Sequence, residues 1–172
     1  EALGDLSIRG EIPQVEVAMG DDCGALTIRC LSEPSAEDRE RLAALERTLG
    51  VQVFLQTGGL DTVTPLDGPA RELSYRLPDA DVEIVFEPLD FIQINGEVNR
   101  KLVQLALDQL NVAEGDRVLE LFAGLGNFTL PLARRGAHVH AVEGEAGLVA
   151  RADRNAQRHG LNERITTELA DL

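Results

Sequence analysis

The sequence predicts an α/β protein in two parts: a small α+β domain over residues 1–88, then the first half of a parallel, doubly wound sheet over 89–172. Three observations predict this. In the first part, short runs of alternating apolar and polar residues are separated by turn formers, which is typical of half-buried strands. In the second part, short apolar strands alternate with stretches of helical periodicity, which indicates parallel strands joined by crossover helices. The chain has 172 residues and is 44% hydrophobic, enough to bury a core.

The first part is predicted to open with a β-hairpin. Residues 14–19 and 25–31 alternate apolar with polar side chains, and the intervening residues 20–24 are turn formers. The other predicted strands of this part are 51–55, 72–76 and 82–86, with a loop over 57–70 that is rich in Gly, Pro and Asp.

A helix is predicted between the hairpin and the strand at 51–55. Ser35 is its N-cap, Asp38 stands three residues further on in the capping-box position, and Gly50 is its stop signal. The apolar stripe of this helix consists of Leu42, Leu45 and Leu49.

The second part begins with a short apolar-polar alternation over 91–95, after which Asn95 can cap a helix. The apolar residues at helical spacing in that helix are Val98, Leu102, Leu105, Ala106 and Leu110. Strands are predicted at 117–121, 138–143 and 164–169, with a Gly-containing turn at 122–127, a helix at 128–135 and another that stops at His159 and Gly160.

The charge of the chain is concentrated in its first part. The formal net charge is -14, with 20 acidic and 7 basic residues up to position 98 and 10 acidic and 9 basic residues after it. Phosphate binding needs clustered Lys and Arg, so we expect weak or no RNA binding by this chain alone. No apolar run is long enough to span a membrane and no secretory signal is present, so a cytoplasmic location is expected.

The two cysteines, Cys23 and Cys30, do not predict a functional site. They are too few for a disulfide framework, and they do not form a C-x-x-C pair. We therefore expect structural thiols and no metal site.

The chemistry-bearing pattern is Glu120-x-Phe122-x-Gly124-x-Gly126-Asn127, with an acid, Glu143, 19 residues after Gly124 at the end of the next strand. Glycines let the backbone turn tightly and approach a ligand. A carboxylate after the second strand can accept hydrogen bonds from both hydroxyls of a ribose. The pattern follows a strand and opens a helix, so it predicts an adenosyl site. Alone, a G-x-G pair could merely turn the chain, and Glu143 could be a solvated acid.

The identity of the adenosyl ligand depends on the position where a dinucleotide fingerprint has its third glycine. That position is Thr129 here. A bulkier residue, together with Glu120 before the turn, suits a ligand without a pyrophosphate and favours S-adenosyl-L-methionine, with NAD as the alternative.

The residues around the turn resemble the RNA uracil-5-methyltransferase family. The resemblance is carried by the string Leu-Glu-Leu-Phe-Ala-Gly-Leu-Gly-Asn-Phe-Thr-Leu-Pro-Leu-Ala at 119–133, by Asp-Phe-Ile-Gln-Ile-Asn at 90–95, and by Asn99. The Phe-Thr-Leu-Pro segment and the Val-Glu-Gly strand end at 142–144 are more similar to the 23S ribosomal RNA branch than to the tRNA branch. The resemblance implies a class I (Rossmann-like) methyltransferase sheet.

The resemblance also implies which residues bind S-adenosyl-L-methionine. They are Gln93, Phe122, Gly124, Gly126, Asn127, Glu143 and Asp171, with Asp171 placed to meet the adenine edge. The chain departs from the family at Ala123, where a cysteine that is not the nucleophile is usual.

The resemblance implies a reaction in which a cysteine thiolate adds to C6 of uracil and a general base later removes the C5 proton. In the family, the cysteine and the glutamate lie beyond the position of Asp171. The RNA-binding TRAM domain and the ligands of a 4Fe-4S cluster lie before position 1. We therefore expect a catalytically inactive piece of a longer protein, with no catalytic residue of its own.

The sequence leaves three hypotheses about function. In the first, the parent protein methylates 23S rRNA; in the second, it methylates tRNA. In the third, the chain is a non-catalytic acidic module that binds a protein partner through residues 1–87.

Overall fold

A computed structural model describes residues 2–171, which form two compact units. The first unit comprises the residues up to Leu73 together with Glu87–Asp90, and the second comprises Ser74–Phe86 and the residues from Phe91 onward. These units do not follow the expected boundary at residue 88, because Ser74–Phe86 groups with the second unit. The division of the protein into functional domains at 1–88 and 89–172 stays a prediction.

The first unit is built on a four-stranded sheet in the order β1-β2-β3-β4. Its strands are β1 (Gln14–Met19), β2 (Gly24–Arg29), β3 (Gln52–Gln56) and β4 (Val63–Pro65). The predicted hairpin is confirmed, since β1 and β2 are antiparallel with Val17 opposite Leu26. The β2 and β3 strands are parallel.

The strand β4 corrects the prediction of a loop over residues 57–70. It pairs antiparallel with β3, with Thr64 opposite Leu55. This strand has only three residues, the last of them Pro65, which are too few to show an alternating pattern. Its pairing therefore could not be predicted from periodicity.

Helix α1 (Ala36–Leu49) connects β2 to β3 and begins with the predicted capping box. The Ser35 hydroxyl accepts a hydrogen bond from the Asp38 backbone N–H at 3.1 Å, and the Asp38 carboxylate accepts one from the Ser35 N–H. Gly50 ends the helix in a left-handed conformation. Of the predicted stripe, Leu42 is buried but Leu49 is 55% exposed. The core of this unit consists of Leu6, Ile8, Leu26, Ile28, Cys30, Leu42, Val53 and Leu55.

Both cysteines lie in the first unit. The Cys23 thiol donates to the Glu72 carbonyl at 3.3 Å. Cys30 is buried, and this burial raises the pKa of its thiol, which favours the unreactive protonated form. Both thiols thus have structural contacts.

The second unit contains the two-stranded sheet of β5 (Leu73–Leu77) and β6 (Val82–Phe86), apart from Leu73, which groups with the first unit. Helix α4 (Ala146–Arg158) holds β6 through a buried amide. The Asn155 Oδ1 accepts from the Val85 N–H at 3.0 Å, and the Asn155 Nδ2 donates to the Val85 carbonyl at 3.1 Å. These bonds explain why the pair of strands groups with this unit.

The main sheet of the second unit has the order β7-β8-β9, all parallel, as predicted. Its strands are β7 (Arg117–Leu121), β8 (His138–Glu143) and β9 (Ile165–Leu169), and α3 (Thr129–Arg134) and α4 connect them. Both helices contact β8 and β9, and Val139 and Ala141 of β8 are buried. On β7, Leu119 is 65% exposed.

Helix α2 (Gly96–Leu110) begins at Asn95, whose side chain accepts from the Val98 N–H at 3.0 Å, as predicted. The helix is confirmed, but the apolar residues whose spacing predicts it do not mark its buried side. The buried residues are Asn99, Val103 and Leu107, whereas four of the apolar residues at helical spacing are 47–60% exposed, namely Val98, Leu102, Leu105 and Leu110. Apolar residues lie on both sides of this helix, so helical spacing alone could not select the buried side.

The alternation at residues 91–95 does not form a strand. These residues are irregular in the structure, and Ile94 is fully exposed. Across the described part of the chain, no helix is long and apolar enough to cross a membrane.

Candidate cofactor site

The predicted Gly-containing turn connects β7 to α3 at the carboxyl end of the parallel sheet. Three of its residues have left-handed backbone conformations: Phe122 with φ 58°, Gly124 with φ 57° and Gly126 with φ 93°. A bulky residue rarely adopts this conformation, and such strain is concentrated at ligand sites. The Phe122 side chain is 72% exposed directly after the strand.

The two glycines serve different purposes. A Cβ at Gly126 would collide with the Leu130 side chain, so this glycine is required by packing against α3. A Cβ at Gly124 would meet no described atom within 4 Å. The space above Gly124 is therefore open to a ligand that approaches the backbone.

Glu143 ties the turn to the end of the neighbouring strand β8. Its Oε2 accepts the Gly124 N–H at 2.9 Å, and its Oε1 accepts the N–H groups of Gly144 at 2.8 Å and Glu145 at 3.0 Å. These three bonds fix the carboxylate beside the open space. Because each carboxylate oxygen has two lone pairs, the Oε2 atom retains one acceptor position for a hydroxyl donor.

Asp171 follows the third strand of the sheet. The Ala170 N–H donates to the Glu143 carbonyl at 3.0 Å, so the chain just before Asp171 runs alongside Glu143. The Asp171 side chain is exposed. The ends of β7, β8 and β9 thus bring Gly124, Glu143 and Asp171 to one edge of the sheet, as expected for ligand sites in parallel sheets.

Asn127 is held by two side chains from distant elements. Its Oδ1 accepts from the Tyr75 hydroxyl of β5 at 3.0 Å and from the Asn99 Nδ2 of α2 at 2.9 Å. Its Nδ2 donates back to the Asn99 Oδ1 at 2.9 Å. The amide is therefore oriented before any ligand binds.

Gln93 is the predicted site residue that the structure does not join to the turn. It lies in the irregular segment before α2 with an exposed side chain. Within residues 2–171, no hydrogen bond connects that side chain to the turn, so its role stays a prediction.

Glu120 lies beneath the turn on β7 and contacts Thr129. The Thr129 hydroxyl, itself 1% exposed, donates to the Glu120 Oε2 at 2.6 Å. Desolvation by burial raises the pKa of Glu120 to about 7, which the hydrogen bond from Thr129 only partly offsets. The structure thus gives a reason for the threonine at the third-glycine position: it bonds the carboxyl of Glu120.

Three residues around the turn were not predicted as site residues: Tyr75, Asn99 and Asn155. Besides holding Val85, the Asn155 Nδ2 lies 3.3 Å from the Leu125 carbonyl of the turn. Tyr75 and Asn155 carried no signal in the sequence. Asn99 did carry a signal, since it is one of the residues on which the family resemblance rests.

Comparison with known proteins agrees with the motif. The family model described as tRNA (Uracil-5-)-methyltransferase matches residues 38–167. A relative from Stenotrophomonas maltophilia (strain K279a), the 23S rRNA (uracil(1939)-C(5))-methyltransferase RlmD, is 54% identical over 92% of this chain and 36% of its own length. The RlmD of Xanthomonas campestris pv. campestris (strain 8004) is 53% identical over 88% of this chain and 34% of its own length. The chain thus spans about a third of these relatives.

Solved structures show the same kind of fold. Pyrococcus abyssi tRNA (uracil-54, C5)-methyltransferase, solved with S-adenosyl-L-homocysteine, superposes with a TM-score of 0.66 at 18% identity, over 90% of this chain and 38% of that one. Methanocaldococcus jannaschii Trm5, solved with adenosine, gives a TM-score of 0.58 at 16% identity, over 94% of this chain and 49% of that one. The α/β fold therefore resembles those of methyltransferases.

The predicted family resemblance is confirmed by these matches. The conclusion about membership depends on the family model, which covers residues 38–167 of the 172. The chain belongs to the tRNA (uracil-5-)-methyltransferase family.

Proposed function

We propose that the second unit binds S-adenosyl-L-methionine at the turn between β7 and α3. The observation that carries this proposal is the bond from the Gly124 N–H to the Glu143 carboxylate, beside the open space above Gly124. Glycine backbone and a fixed acid at the ends of adjacent parallel strands are the features that an adenosyl ligand requires.

Each residue of the site has a proposed task. Glu143 accepts a hydrogen bond from a ribose hydroxyl at the remaining lone pair of its Oε2, and Asp171 accepts from the adenine edge. Gly124 and Gly126 shape the backbone under the methionine moiety, and Asn127 donates its remaining N–H to the ligand. Phe122 and Gln93 are proposed to close the site. When bound, the cofactor supplies the methyl group.

The whole protein, we propose, methylates C5 of a uridine in 23S rRNA. The support is the identity of 54% and 53% to two RlmD enzymes that are named for this reaction.

Both cysteines of this chain lie in the first unit and have structural contacts. We therefore propose that this chain supplies the cofactor site and not the nucleophile, so that by itself it is inactive. We also propose that the whole protein is cytoplasmic and that it holds a 4Fe-4S cluster.

Calorimetric titration of the 172-residue chain tests the cofactor. We expect saturable binding of S-adenosylhomocysteine and no binding of NADH, because Thr129 stands at the position where a dinucleotide site has its third glycine. Tight binding of NADH without binding of S-adenosylhomocysteine would overturn the proposal.

Methyl transfer by the whole protein tests the RNA substrate. The protein is incubated with methyl-labelled S-adenosyl-L-methionine and with either 23S rRNA or tRNA transcripts. We expect label in 5-methyluridine of the 23S rRNA and none in tRNA. Label in tRNA alone would instead establish the tRNA reaction.

A further inference from the structure

The side-chain amide of Asn127 occupies a central place in the turn, and its geometry is set from outside the turn. Its Oδ1 receives two donors, Tyr75 from β5 and Asn99 from α2. Its Nδ2 returns one hydrogen bond to Asn99. An amide nitrogen carries two N–H bonds, so within the described residues one N–H remains for a ligand.

We propose that Tyr75 and Asn99 are positioning residues of the cofactor site, which fix the amide of Asn127 so that its remaining N–H points to the ligand. This inference rests on the proposed function. It gives the β5–β6 pair of strands, which precedes the parallel sheet, a direct part in cofactor binding.

The burial of the participants supports this assignment. Asn99 is 3% exposed, so its amide has no access to alternative partners in water. Burial also raises the pKa of the Tyr75 hydroxyl, which keeps the hydroxyl protonated and able to donate. The two reciprocal hydrogen bonds between the Asn99 and Asn127 amides give each amide one preferred orientation, because rotation of either amide would place like groups together.

The second attachment of the strands strengthens the case. Asn155 of α4 bonds both backbone groups of Val85 and contacts the Leu125 carbonyl of the turn. The strands are thus held on one side by Asn155 and hold the turn on the other through Tyr75. Because these bonds hold the turn in place without a ligand, we expect ligand binding to cost little ordering entropy.

Three variants test the inference. Tyr75→Phe removes only the hydroxyl, Asn99→Ala removes the paired amide, and Ser74→Ala is the matched control. Ser74 lies next to Tyr75 on β5, and its hydroxyl bonds Glu83 at 2.9 Å and not the turn. Each variant is compared by its thermal midpoint, by the Kd for S-adenosylhomocysteine and by amide hydrogen exchange of the segment 122–127 without ligand.

We expect the Kd to rise about threefold to tenfold in Tyr75→Phe and about tenfold or more in Asn99→Ala, and to stay within about twofold of the unmodified chain in Ser74→Ala. In an Asn127→Ala background, Tyr75→Phe should change the Kd less than about twofold, because its effect passes through Asn127. A merely structural role of Tyr75 would instead give independent, additive effects, and this result would overturn the inference.

Hydrogen exchange decides the matter without a ligand. The turn should exchange at least about threefold faster in Tyr75→Phe and Asn99→Ala than in Ser74→Ala, because the bonds that order it are lost. Equal exchange rates in the three variants would overturn the inference. If the unmodified chain binds no S-adenosylhomocysteine, the proposed function fails, while the exchange rates still decide whether the two residues order the turn.

Discussion

At the scale of single residues, the carboxyl of Glu120 is the most perturbed acid of the second unit. Its pKa is raised to about 7 because burial removes water from the carboxyl, an effect that the hydrogen bond from Thr129 only partly offsets. In the unfolded chain the group titrates near the ordinary value of 4.5. At pH values between these two pKa values, unfolding therefore releases a proton from Glu120. The contribution of Glu120 to stability is fully present below about pH 4.5 and is lost as the pH rises through about 7.

Replacement of Glu120 tests this pH dependence. Glu120→Gln keeps an acceptor for the Thr129 hydroxyl but cannot ionise. We expect a free energy of unfolding about 1–3 kcal/mol above that of the unmodified chain at pH 8, and a small difference at pH 5. Urea unfolding at the two pH values measures it, with the exposed Glu163→Gln as control. An effect of the same size at both pH values would show that the charge of Glu120 is not the cause.

The two glycines of the turn should respond differently to the same substitution. Gly126→Ala places a Cβ against Leu130 at φ 93°, so we expect a loss of about 2–4 kcal/mol in the free energy of unfolding. Gly124→Ala meets open space at φ 57°, so its cost is about 1 kcal/mol from the backbone alone. Binding of S-adenosylhomocysteine should nevertheless be lost in Gly124→Ala. Retention of normal affinity in a folded Gly124→Ala protein would contradict the open space as the ligand position.

At the scale of elements, helix α1 shows how a capping residue also anchors a distant segment. The Asp38 carboxylate accepts hydrogen bonds from the Ser7 N–H at 2.7 Å and the Ser7 hydroxyl at 2.5 Å, in addition to its bonds with Ser35. These bonds, those of Ser7 first, lower the pKa of Asp38 to about 2. The N-terminal segment is thereby attached to the start of the helix.

The lowered pKa makes this attachment sensitive to acid. A group whose pKa is lower in the folded protein stabilises the fold above its ordinary value of 3.8, and this contribution is lost as the pH falls toward 2. We expect Asp38→Asn to lower the thermal midpoint at pH 7 and to flatten its dependence on pH between 4 and 2. Circular dichroism melts across this range, with the exposed Asp61→Asn as control, measure both effects. An unchanged pH profile in Asp38→Asn would show that this contact is not the acid-sensitive one.

The elements also show which features a sequence can predict. The hairpin, the capping box of α1, the Asn95 cap and the β7-turn-α3 unit follow from local patterns of a few residues, and all were predicted. The buried side of α2 and the short strand β4 were not, because the first depends on which neighbour packs against the helix and the second is too short for periodicity.

The same distinction applies to the site. Gly124 and Glu143 are separated by 19 residues and joined by a strand-helix-strand unit of standard geometry, so their contact could be anticipated. Tyr75 and Asn127 are separated by 52 residues and joined through a strand pair whose position depends on Asn155. Contacts of this kind follow from packing and leave no local signal.

At the scale of the whole molecule, strand β7 of the parallel sheet exposes Leu119 and Leu121, which share one face of the strand and are 65% and 49% exposed. Parallel sheets are ordinarily covered on both faces. The chain spans 36% of its Stenotrophomonas relative, so the proposed reaction belongs to the whole protein and the proposed cofactor site to this chain.

We propose that the second unit binds S-adenosyl-L-methionine in the open space beside Gly124 and Glu143, and an NMR titration of the isotope-labelled chain with S-adenosylhomocysteine tests this proposal. We predict saturable shifts of the backbone amides of Gly124, Gly144 and Glu145, which all donate to the Glu143 carboxylate. The amides of strand β1 in the first unit serve as the internal control and should not shift. Saturable shifts confined to the first unit, or none at all, would contradict the account.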